Sequence, residues 1–132
     1  MLKMPLLFCL VLASATGAIA AENRYLCVIE KVYFLDENGL TIAPALFDGL
    51  RSQLFEVNRT TGAITGAQLE NVSYDVTVIS PGDSQNSFQA YWIVRGTGDT
   101  SIRWVEINEW VIRARKPFRA VVQSWIYTGH CE

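Results

Sequence analysis

Beyond residue 23, several runs place apolar side chains at every second position, the period of a strand with one covered face. Residues 24–35 (RYLCVIEKVYFL) are rich in aromatic and β-branched types and close on Asp36-Glu37-Asn38-Gly39, where Asn and Gly tolerate positive φ. Leu40-Thr41-Ile42 resumes the extended pattern. Residues 43–51 are the least strand-like; Pro44 near the start and Gly49 near the end suggest a short helical turn. Residues 54–58 and 63–65 flank Arg59-Thr60-Thr61-Gly62 as a hairpin, and 66–71 read as a loop. Residues 72–80 place Tyr74, Val76 and Val78 on one face before the turn Pro81-Gly82-Asp83-Ser84. Residues 88–95 align Phe88, Ala90, Trp92 and Val94, and Gly96-Thr97-Gly98-Asp99 reverses the chain. Residues 102–113 read as a strand by composition, although Trp104, Ile107, Val111 and Ala114 also match helical spacing. After Arg115-Lys116-Pro117, residues 118–128 read as the last strand. Phe118, Ala120, Val122 and Ile126 share one face of it; Arg119, Gln123, Trp125 and Tyr127 share the other. These runs predict an all-β domain, a small antiparallel barrel or sandwich of six to eight strands.

The first twenty residues have a different pattern. Lys3 and the amino terminus precede an apolar run from Leu6 to Ala13, followed by small residues ending in Ala18-Ile19-Ala20. This is the order of a secretory signal peptide, with cleavage expected after Ala20 and Ala21 as the near competitor. The apolar run is shorter than the ~20 residues needed to span a bilayer. Cys9 lies inside that run, and no cysteine stands at the cleavage point, so no lipid anchor is expected. Residues 21–132 then form a single domain, without stable membrane insertion.

Loss of the leader takes only Lys3 from eleven basic residues, leaving ten against thirteen acidic ones. This balance argues against a nucleic-acid partner, since such proteins are usually basic. Two cysteines remain, Cys27 and Cys131. In an exported domain such a pair is expected to form a disulfide. A disulfide requires Cα atoms within about 7 Å, so the first and last strands should be neighbours.

Chemistry-bearing residues are sparse. His130 is the only histidine and stands beside Cys131, so it is not expected to act as a catalytic base, and one histidine with two paired thiols makes no zinc site. Glu106 and Glu109 would point to opposite faces of a strand, unlike a glycosidase pair. Asp36, Glu37, Asp83 and Asp99 fall in turns, where acids usually serve structure. The glycines around Gly62 and Gly66 lack the G-K-[ST] of a phosphate loop. No catalytic set, metal or cofactor is therefore expected. Asn58-Arg59-Thr60 and Asn71-Val72-Ser73 are glycosylation sequons, relevant only in a host that uses them.

The remaining signal is a charge asymmetry. Residues 21–90 carry four basic and nine acidic side chains, whereas residues 91–120 carry six basic and three acidic. Tryptophans are interleaved with the basic set. Trp92, Arg95, Arg103, Trp104, Trp110 and Arg113 form a candidate binding face, because Arg and Trp are enriched at binding hot spots. The competing explanation is that the tryptophans are core and the arginines are solvated charges at strand edges.

Tyr25-Leu26-Cys27, the hairpin FEVNRTTG at 55–62, Lys116-Pro117-Phe118 and the ending YTGHC at 127–131 together bracket the domain. In these pieces the chain resembles small exported β-rich proteins of Gram-negative bacteria. The resemblance implies a periplasmic address and no site residues. Tyr25-x-Cys27 and the late Cys131 are also similar to periplasmic lysozyme inhibitors of small β-barrel form, but this sequence lacks the Ser-Gly-x-x-Tyr loop that those proteins insert into the enzyme. The expectation is a non-enzymatic periplasmic or secreted binding domain, monomeric or weakly oligomeric, with a protein or small ligand as partner. The alternatives are a lipocalin-like carrier of an apolar ligand and a structural envelope component.

Overall fold

The computed structural model of the protein describes residues 23–42 and 45–132; the expected leader lies outside the described residues. Nine strands run β1 (Arg24–Asp36), β2 (Gly39–Ile42), β3 (Leu54–Asn58), β4 (Ile64–Thr65), β5 (Val76–Pro81), β6 (Phe88–Arg95), β7 (Thr100–Ile107), β8 (Lys116–Val122) and β9 (Trp125–Cys131). All join one antiparallel sheet in the order β4-β3-β1-β9-β8-β7-β6-β5, with β2 paired to β1. The sheet curls into a half-barrel in which the first and last strands are neighbours. The short helical turn expected in 43–51 is a 3-10 turn, Ala45–Leu50, and a second, Ala67–Leu69, lies in the loop expected at 66–71.

The concave face holds the core. Phe88, Ala90 and Trp92 of β6, Val105 and Ile107 of β7, and Phe118, Ala120 and Val122 of β8 are buried there in successive rows. β1 is long enough to serve two neighbours on one edge, pairing β3 along its first half and β2 along its second. A bulge at Glu30 shifts its register against β9. Before the bulge the odd positions Tyr25, Cys27 and Ile29 are buried; after it the even position Val32 is. One extra residue reverses which face points inward, as a period of two requires. β9 passes so close here that a Cβ on Gly129 would stand 1.9 Å from the Val28 carbonyl oxygen, so only glycine fits.

The expected disulfide is present. Cys27 and Cys131 face each other in the β1–β9 ladder with Cα atoms 3.9 Å apart, and both are buried. Closing a loop of 104 residues is worth about 4–5 kcal/mol if its effect is to restrict the unfolded chain.

The tip of the β3–β4 hairpin folds back to meet the far side of the sheet. Gly62, at φ 73°, lies so near β5 and β6 that a Cβ would stand 2.7 Å from Val76 Cγ1 and 3.0 Å from the Ala90 methyl. Asn71 holds this tip in place. Fully buried, it accepts a hydrogen bond from the Ile64 N–H at 2.6 Å and donates to the Gly62 carbonyl at 3.1 Å. Its sequon is thus enclosed. Asn58 is exposed, and its Oδ1 accepts from the amides of Thr60 and Thr61.

Three boundaries differ from the sequence reading. The strand expected at 72–80 starts only at Val76, and Tyr74 belongs to the preceding turn, its N–H bonded to the Asn71 carbonyl at 3.0 Å. The run expected at 102–113 is strand only to Ile107. Beyond it, backbone bonds such as Val111 N–H to Asn108 O at 3.1 Å make successive turns rather than a strand or a helix. Most importantly, 118–128 is two strands, which brings the count to nine. Val122 pairs directly with Trp125 across a two-residue turn, Gln123-Ser124, in which Gln123 adopts φ 56°. The reversal resets the phase: Tyr127 is buried on the concave side, and Ile126, expected inward, pairs with Val121 and Tyr33 on the convex side.

Candidate functional site

The structure does not gather the six candidate residues on one face. Trp104 lies on the convex surface in a cross-strand row with Tyr91, Val121 and Ile126, and the Arg119 guanidinium sits 5.1 Å from its ring centre. Arg95 is exposed at the end of β6. Trp110 and Arg113 belong to the turns after β7, where the Trp110 indole donates to Ser87 Oγ at 3.2 Å. Trp92 is core, 1% exposed. Only Trp92 and Arg103 meet, as directly paired neighbours of the β6–β7 ladder on the concave side.

The acids and the histidine also disperse. His130 Nδ1 lies 3.0 Å from Glu30 Oε1. Glu106 accepts from Arg119 at 2.6 Å and from Gln89 at 3.1 Å. Burial, the largest single influence on Glu106, favours its neutral form, but the combined bonds from Gln89 and Arg119 outweigh it and hold the carboxyl below its ordinary range. Glu109 lies past the end of β7, 3.7 Å from Arg59, whose guanidinium stacks over the Tyr25 ring at 4.8 Å. Burial and the Glu109 charge together push the Tyr25 hydroxyl well above its usual range. Among the described residues, no group of three or more His, Cys, Asp or Glu is placed to hold a metal ion.

Arg103 instead opens onto a cavity at one mouth of the half-barrel. The alternation of β7 that buries Val105 and Ile107 also turns Arg103 inward, one step nearer the rim. The β8–β9 turn brings Val122, Trp125 and Tyr127 to the same end. Leu50, at the end of the first 3-10 turn, completes the apolar lining, and Gln53, Gln68 and Gln123 supply amides at the rim. The volume of this open depression is about 590 Å³. Burial raises the Tyr127 hydroxyl above its ordinary range, and the positive charge of Arg103 partly opposes that shift.

Two donors at this end lack acceptors. Arg103 Nε and Trp92 Nε1 are both covered and make no hydrogen bond. A second depression, about 510 Å³, lies outside the disulfide between Leu26, Leu54 and His130. None of the unpartnered buried polar atoms among the described residues belongs to its lining. The cup at Arg103 is therefore the better candidate, combining ligand-sized space, an aromatic wall and unused polar groups.

Trp125, Tyr127 and the three glutamines were missed by sequence reasoning. The signal for the first two was the polar pair Gln123-Ser124 interrupting a β-branched run. The glutamines come from separate segments that only the fold brings together. The chain matches no protein-family model, no curated protein and no solved structure. No helix among the described residues is long and apolar enough to cross a membrane.

Proposed function

We propose that this protein is a non-enzymatic binding domain that holds a small organic ligand in the cup between Arg103, Trp125 and Tyr127. The observation that carries this reading is the cup itself. About 590 Å³ opens at the rim of an otherwise filled half-barrel, with an apolar and aromatic lining and amides around its edge. Small ligand sites generally have this size and mixture. The interior below is filled by Phe88, Trp92, Ile107 and Phe118, so the ligand would sit in the mouth and not along the barrel axis. A periplasmic or secreted address belongs to the same proposal, supported by a disulfide of the kind that persists in oxidising compartments.

The neutral fluorescent probe N-phenyl-1-naphthylamine tests the cup. It should bind with one-to-one stoichiometry and lose at least about tenfold in affinity in Leu50→Trp, whose larger ring occupies the space. Circular dichroism and the melting temperature should stay near those of the parent. Equal binding by the filled variant, or failure of this probe, 2-naphthoate and 2-naphthamide all to bind, would sink the proposal.

A further inference from the structure

The residues around the cup also bear on what kind of ligand it takes. Trp92 is 1% exposed and its indole N–H has no acceptor; its cross-strand neighbour Arg103 has a covered Nε–H that also has none. Buried donors are nearly always satisfied, so two neighbouring exceptions call for an explanation. Among the described residues Arg103 also has no counter-ion. The ion pairs of the described residues join other partners. A partly desolvated guanidinium without an anion is unfavourable for the protein alone. An acceptor bearing negative charge in the cup would answer both deficits of Arg103, the unpaired Nε–H and the missing anion; Trp92 is buried beneath and is not part of the lining.

We infer that the cup selects an organic monoanion, a carboxylate on a flat apolar body, with Arg103 as its counter-ion. The inference rests on the cup being a ligand site, as proposed above. Guanidinium presents paired N–H donors in a fixed plane that matches a carboxylate. Among the described residues Arg103 is the only charged one lining the cup, so one negative charge is matched and two would leave one uncompensated. Trp125, whose ring packs 4.7 Å from that of Phe34, lines the cup together with Leu50 and Val122, which offer aliphatic surface.

The test compares 2-naphthoate with its neutral counterpart 2-naphthamide by calorimetry and tryptophan fluorescence. The parent protein should bind naphthoate at least about tenfold more tightly, the margin expected when a charged hydrogen-bonded pair replaces a neutral contact. In Arg103→Met that preference should vanish, while the ligand-free protein melts at a higher temperature because an uncompensated charge has been removed. Arg103→Lys, which keeps the charge without the planar fork, should retain a reduced preference and guards against a folding artefact. Equal binding of naphthoate and naphthamide by the parent protein overturns the anion assignment and leaves the cup as a ligand site. Binding of N-phenyl-1-naphthylamine without naphthoate does the same. Failure of all three probes overturns both.

Discussion

At the scale of single residues, polar side chains hold this small sheet together where apolar contact alone would leave choices open. Asn71 satisfies two backbone groups of the β3–β4 hairpin from a fully buried position, so an apolar replacement would strand both. Glu106 works on the opposite surface, joining β6, β7 and β8 through Gln89 and Arg119. Because its carboxyl is held below the ordinary range, its contribution is present above the unfolded value near 4.5 and fades as pH falls through the lower folded value. Glu106→Gln is therefore expected to lose roughly 1 kcal/mol at about pH 7, a figure already reduced for the exposure of Arg119. Urea unfolding at about pH 2.5 should show parent and variant nearly equal. An unchanged gap at that pH would show that the carboxylate's charge is not what stabilises.

At the scale of elements, the phase of each strand determines which side chains reach the cup. Alternation along 88–95 put Phe88, Ala90 and Trp92 on the buried face before any coordinates were needed, because no bulge or turn interrupts it. The β1–β2 turn was equally legible, since Asp36, Asn38 and Gly39 each favour the geometry they adopt. The β8–β9 turn was not, because Gln123-Ser124 contains neither Gly, Asn nor Asp and Gln123 tolerates positive φ only at a cost. Missing it reversed the expected faces of Trp125, Ile126 and Tyr127 and concealed half of the cup. The same feature offers a way to strengthen the element. Gln123→Gly removes the side chain that disfavours φ 56° and should stabilise the hairpin by about 0.5–1 kcal/mol, read as a higher denaturation midpoint. A lower midpoint would mean that Gln123 supports the cup rim in a way that outweighs its backbone. The Arg-Trp signal between residues 91 and 120 failed for a related reason. Composition locates residues along the chain, whereas the pleat sends Arg103 and Trp104 to opposite sides.

At the scale of the whole molecule, the half-barrel is joined where it begins and ends. β1 and β9 are paired along their length, the Cys27–Cys131 bond ties them, and Leu26 and Glu132 exchange both backbone hydrogen bonds beyond it. In topological terms the domain is a ring, and the place where translation opens it is one choice among several. A circular permutant that joins residue 132 to residue 23 through a short linker, and opens instead at the exposed turn between Gly96 and Asp99, should recover the same circular dichroism spectrum. It should also bind whatever the parent cup binds, because the new ends lie in a turn that contributes no side chain to the lining. A permutant that fails to fold would show that synthesis must begin with β1, and that the order in which the strands emerge matters as well as their final neighbours.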